Sequence, residues 1–217
     1  MTKKIKIISL VVVLVLAIGA FISYYFIRQS QLYLATNDAY VDGTQIVIAA
    51  PASGQLEDWS GHVGTTFTNG STVGEVEEKI GDATTTVPIP VPAKSTIVQK
   101  SAVNGEFVAI GTPLAFAYNM NDLWVTANVK ETLIHSIYVG APVDITVDAY
   151  SHLVLHGVVK NFGLATANTF SLLPSSEDNA NFTKVTQVMP VKIEIYGYQG
   201  IGLTPGMSVT VHIHKYH

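Results

Sequence analysis

The chain has 217 residues, no cysteine and a formal net charge of −4. Without cysteine there are no disulfides, thiolate metal sites or cysteine nucleophiles, and the acidic balance excludes a basic footprint for nucleic acid. Hydrophobic residues make up 48% and charged residues 13%, with a mean hydropathy of +0.34; the N-terminus accounts for part of that excess.

Residues 1–28 read as a short cytoplasmic tail and a transmembrane anchor. Lys3, Lys4 and Lys6 precede an uncharged run from Ile7 to Ile27, and Tyr24-Tyr25-Phe26 and Arg28 follow its apolar centre. As a helix this run is about 31 Å long, the thickness of a hydrocarbon core. The three lysines place the N-terminus in the cytoplasm and the bulk of the chain outside, single-pass in the cell membrane. A cleaved signal peptide is the alternative, with Ala17, Gly19 and Ala20 as small residues for cleavage, but a signal core is typically ~7–15 residues. A buried core helix is the third reading, and nothing later in the chain offers helices to surround it.

Residues 29–45 form a connector and an incoming strand, with a turn expected at Asp42-Gly43. Over residues 46–118 one pattern occurs twice. It starts at Pro51-Ala52 and again at Pro92-Ala93, and a constant offset then carries Leu56 onto Ile97, Gly64 onto Gly105, Phe67 onto Val108, Gly70 onto Gly111 and Val73 onto Leu114. The aliphatic residues suit strand positions facing a core. Gly54, Gly64, Gly70, Gly105 and Gly111 are candidate turn glycines. Neither half can bury its apolar face alone, so the two are expected to close on each other with pseudo-twofold symmetry. Only Glu77 to Thr86 separates them, room for a hairpin turn or a loop.

Residues 119–217 read as a small antiparallel β-barrel with one short helix. Asn121-Asp122 is expected to end the sandwich. Glu131 to Tyr138 is expected to be the helix, with Asn128 as N-cap in a capping box with Glu131 and an apolar face of Leu133, Ile134 and Ile137. Strands are expected at Pro142–Val147, Leu153–Val159, Val191–Ile195 and Met207–Ile213, with a type II turn at Pro205-Gly206. No catalytic set and no cofactor motif stands out. His212 and His214 share a strand face and His217 follows, so a metal site completed by a neighbouring carboxylate is conceivable; a solvent-facing strand at the terminus is the preferred reading.

The doubled half-motif resembles the lipoyl-type barrel-sandwich hybrid. Two further stretches carry a more specific resemblance. Thr36-Asn37-Asp38-Ala39-Tyr40-Val41, leading to Ser53-Gly54, is similar to the start of the HlyD/EmrA membrane fusion proteins. So are Phe170-Ser171-Leu172-Leu173-Pro174, the later Asn181-Phe182-Thr183-Lys184-Val185 and Leu203-Thr204-Pro205-Gly206-Met207. The resemblance implies a short form of these efflux and secretion adaptors, without the usual α-helical hairpin between the sandwich halves. It implies a non-enzymatic, membrane-anchored subunit, oligomeric, held to lipid through its N-terminal helix. Its partner would be an integral-membrane transporter of major facilitator or ABC type, in multidrug efflux or secretion. Ser175, Ser176, Glu177 and Asp178 form a polar loop that is a candidate transporter contact. Two other readings stay open: a biotinyl/lipoyl carrier domain modified at Lys79, and a free-standing envelope protein that binds a metal or small ligand.

Overall fold

The computed structural model describes residues 3–81, 83–163 and 187–216 and, within these, the side chains of all but 3–9, 11, 26–30 and 80. In chain order the elements are helix α1 (Lys3–Leu32) and strands β1 (Tyr33–Thr36), β2 (Ala39–Ala49), β3 (Gly54–Glu57), β4 (Thr66–Phe67), β5 (Thr72–Ile80), β6 (Ala83–Pro90), β7 (Ser95–Lys100), β8 (Phe107–Val108) and β9 (Pro113–Lys130). A 3₁₀ turn (Glu131–Ser136) follows, then β10 (Pro142–Val147), a second 3₁₀ turn (Asp148–Tyr150), β11 (Val154–Phe162), β12 (Val188–Tyr196) and β13 (Val209–His214). The fold is mainly β, in two contact units: residues 40–125 with 197–207, and residues 1–39 with 126–196 and 208–217.

The unit 40–125/197–207 contains the two half-motifs, and its hydrogen bonds repeat with the same offset as the sequence. Gly64 N–H donates to Ile97 O and Gly105 N–H to Leu56 O, both at 2.8 Å. Gly70 N–H donates to Val91 O and Gly111 N–H to Ala50 O, again at 2.8 Å. Each half thus lends its turn to the strands of the other, and β4 pairs β7 as β3 pairs β8. Gly64 and Gly105 have φ of 89° and 82°, the left-handed region that only glycine enters cheaply. The core between the halves includes Ile48, Leu56, Val73, Val76, Ile89, Ile97 and Leu114. Full burial of each such side chain stabilises by about 1.5–3 kcal/mol.

Three local expectations are corrected here. β2 runs unbroken through Asp42-Gly43. Gly43 is required by close packing, since a Cβ there would lie 2.9 Å from Leu123 Cδ2. Gly54 is likewise a packing glycine, opening β3 without a positive φ. β9 continues through Asn121-Asp122 to Lys130; long-range pairing holds a stretch that local propensity would break.

In the other unit the strands follow the order β1-β13-β10-β11-β12, with β12 next to β9. Alternate residues of β10 and β13 are buried, so Val143, Ile145, Val147, Val209, Val211 and Ile213 form its core with Ile193 and Ile195. The barrel is not closed by a ladder. The chain leaves strand geometry after Thr36, and single hydrogen bonds stand in: Asn128 N–H to Asp38 O at 2.8 Å and Thr36 Oγ1–H to Asn128 O at 3.2 Å. Asn128 therefore sits in β9 and caps no helix; its side-chain amide donates to Asp38 Oδ1 at 3.0 Å. The short helix expected over Glu131 to Tyr138 is a 3₁₀ turn, Glu131–Ser136, without a side-chain cap. Of its expected apolar face, Ile137 is buried and Leu133 is exposed.

Helix α1 spans Lys3–Leu32. Among the described residues no helix is long and apolar enough to cross a membrane. The continuous run whose side chains are described, 12–25, amounts to about 21 Å of helix.

Candidate functional site

The connection between the two halves is the hairpin of β5 and β6. It pairs out to Lys79↔Thr84 and Ile80↔Ala83, so no helical insertion lies between the halves. Lys79 stands on the strand, one rung before the last pair, rather than in the turn. Its side chain is 71% exposed and its Nζ is 3.9 Å from Glu77 Oε1, a contact worth little at a surface. Lys79 thus lies beside the hairpin turn, two residues from Gly81.

Beside the hairpin, cross-strand register sets Gln55 opposite Glu77, and Glu57 opposite Glu75. Like charges face each other directly, which weakens a sheet. The Glu57 carboxyl pKa is raised from its ordinary value, chiefly by the negative charge of Glu77. Ser53, Gly54, Gln55, Glu77, Glu78, Lys79 and Phe107 line an open groove of about 340 Å³. The internal repeat supplies a comparison for the turns nearby. Thr66, Asn69 and His62 of the first half correspond to Phe107, Ile110 and Val103 of the second. Those three are large, apolar and 74%, 69% and 60% exposed.

In the other unit the histidines and a carboxylate meet across strands. Asp144 on β10 lies opposite His156 on β11 and His212 on β13. Its Oδ1 is 3.0 Å from His156 Nδ1 and its Oδ2 3.5 Å from His214 Nε2. Each carboxylate oxygen takes one imidazole, and among the described residues no group of three His, Cys, Asp or Glu could hold a metal ion. Asp144 and His156 were not visible as partners in the sequence, because strand register was not. His217, the loop Ser175–Asp178 and the Phe170–Pro174 motif lie outside the described residues. Gly70, Gly111 and Gly206 have φ of 78°, 83° and 88°. Gly206 N–H donates to Val41 O at 2.7 Å, which ties the Pro205-Gly206 turn back to β2.

Residues 45–119, the doubled half-motif, match the family model described as the YhbJ barrel-sandwich hybrid domain. The chain is 40% identical over 185 residues to YhbJ of Bacillus subtilis strain 168, a protein named for an efflux system component; the match covers 85% of this chain and 81% of that one. The chain belongs to the HlyD/EmrA-type membrane fusion proteins. This membership extends to the multidrug export protein EmrA of Escherichia coli K12, 35% identical over 105 residues, which cover 48% of this chain and 27% of that one. A solved structure of the periplasmic adaptor protein EmrA superposes with a TM-score of 0.57 at 11% identity, over 86% of this chain and 99% of that one; at that identity it shows the fold alone. The chain thus spans most of YhbJ but about a quarter of the E. coli relative. These relatives are named as an efflux system component and a multidrug export protein, and the solved structure as a periplasmic adaptor protein.

Proposed function

We propose that this membrane fusion protein is a membrane-anchored, non-enzymatic adaptor that works beside a multidrug efflux or secretion transporter in its own membrane. One observation carries the reading: sandwich, second β-unit and N-terminal helix occur together in a chain matching 81% of a protein named for an efflux component. The anchor is helix α1. In sequence Ile7 to Ile27 is uncharged, and Leu14, Leu16 and Phe21 are 61%, 67% and 72% exposed, as residues facing lipid would be. Lysines 3, 4 and 6 favour a cytoplasmic N-terminus with the β-units outside. The hairpin closing at Ile80 and Ala83 keeps the reach short. That suits action at the transporter's outer mouth. The partner is a transporter of major facilitator or ABC class, and several copies of the chain assemble around it. The exposed Phe107 of β8 and Ile110 in the turn after it, and the polar loop Ser175, Ser176, Glu177 and Asp178, are the candidate contact surfaces.

The test is genetic. A native host lacking the chain is profiled against a panel of toxic compounds. Hypersensitivity to some of them is expected, restored by the full chain and not by one lacking residues 1–32. Unchanged sensitivity across a broad panel would count against an efflux role.

A further inference from the structure

One end of the second β-unit gathers the exit of α1, the C-terminal tail and a set of exposed aromatic and aliphatic side chains. Tyr33 follows Leu32 directly. Lys215 N–H donates to Leu32 O, and Tyr216 N–H to Ser136 O, each at 3.0 Å. The Tyr216 ring meets Tyr138 edge-on, centroids 5.8 Å apart, and the Tyr33 ring meets His214 at 4.6 Å. Register agrees: Tyr33 pairs with His214, and Val143, at the start of β10, pairs with Ile213. Leu133, Tyr138, Val139 and Tyr216 are 42%, 41%, 58% and 75% exposed. A soluble surface gains nothing from this concentration at a single strand end.

Helix length decides what faces these residues. Lys3–Leu32 is 30 residues, about 45 Å, the full thickness of a bilayer with both headgroup layers. With the lysine end at one surface, Leu32 reaches the outer edge of the opposite headgroup layer. Any side chain beside Leu32 is then at headgroup depth, where tyrosine is favoured for its apolar ring and polar tip. We propose that Leu133, Tyr138, Val139 and Tyr216 form an interfacial collar that seats this β-unit on the lipid surface, with Lys215 among the headgroups. The collar rests on the anchor reading above. Its role is mechanical: it fixes the height of this β-unit over the bilayer, which a single helix leaves free to swing.

The chain has no cysteine, so single nitroxide labels can be placed on the full-length protein without a background. Labels go at Val139→Cys and Tyr216→Cys in the collar and at Phe21→Cys in the helix. Two controls of comparable exposure are Ile110→Cys in the sandwich and Val154→Cys. Val154 pairs with Thr146, at the far end of β10 from Val143, about 10 Å along the strand. The protein is reconstituted alone into phosphatidylcholine–phosphatidylglycerol vesicles and probed with oxygen and a water-soluble nickel chelate. The collar predicts that the chelate loses most of its access to position 21 while oxygen access rises there, and that chelate access at 139 and 216 falls to a level between those of 21 and 154, with 110 and 154 unchanged. A shielded position 21 with 139 and 216 as open as 154 would overturn the collar and leave the anchor standing. Exclusion of both reagents at 139 and 216 would mean a second copy covers them, and also overturns it. Chelate access at position 21 would sink the anchor and the collar together.

Discussion

Gly54→Ala tests the account of how the two sandwich halves close. A Cβ at Gly54 would press on the Glu77 carbonyl oxygen, lie 2.7 Å from its carbon and 3.0 Å from Val76 Cγ1. Those are backbone atoms of β5 and a buried core side chain, and neither can swing aside. β3 and β5 must separate where Gln55 pairs with Glu77. Overpacking of this kind costs about 1–3 kcal/mol, and a stretched ladder hydrogen bond adds about 0.5–1.5 kcal/mol. The expected loss is about 2–4 kcal/mol. Gly64→Ala is the control: φ there is +89° but nothing lies within 4 Å of the new Cβ, so only the left-handed penalty of about 1–2 kcal/mol applies. The assay is urea unfolding of the full-length chain in mild non-ionic detergent, followed by tryptophan fluorescence. Trp59 is buried in this unit and donates its indole N–H to Gly61 O at 2.7 Å. At a typical urea dependence the Gly54→Ala midpoint falls by about 1 M or more. If Gly54→Ala shifts the midpoint no further than Gly64→Ala, close strand approach is the wrong explanation for that glycine.

Other predictions follow from single contacts. Tyr198 Oη accepts the Leu123 N–H at 2.9 Å in a buried setting. Tyr198→Phe leaves that donor unpaired and lowers unfolding stability by about 1–3 kcal/mol; a neutral result in the same titration would refute the bond's role. The folded state raises the Glu57 pKa through Glu77. A raised carboxyl favours folding while protonated, and that contribution is lost as pH rises through its folded-state value. Glu77→Gln is therefore expected to raise the melting temperature at neutral pH, with the gain fading at acid pH and in high salt. A gain independent of both would point to packing instead. Finally, intact mass of protein from native membranes should show no biotinyl or lipoyl increment, and either increment on Lys79 would revive the carrier reading.

Much of the sandwich was legible because its determinants are local and repeated. The constant offset from Leu56 to Ile97 and from Gly64 to Gly105 reappears as paired hydrogen bonds. The errors all lie where a distant segment overrides local chemistry. Asp42-Gly43 looks like a turn, but Leu123 and Tyr118 pack against the strand there. Asn128 looks like a helix cap, but Asp38 takes its side chain. Residues 197–207 return to the first unit through Tyr198 and through the bond from Val41 N–H to Met207 O at 2.8 Å. Nothing in the local sequence announces that return. The aromatic cluster at Tyr138 and Tyr216 was hidden for the same reason, its members being brought together by strand register.

The measurement that tests the central claim most directly is affinity purification of the full-length, detergent-solubilised chain from its native membrane, with mass spectrometry of what accompanies it. The adaptor account predicts recovery of a polytopic transporter, lost when residues 1–32 are deleted. A chain that repeatedly purifies with no polytopic protein, under conditions that keep it folded, would contradict the account.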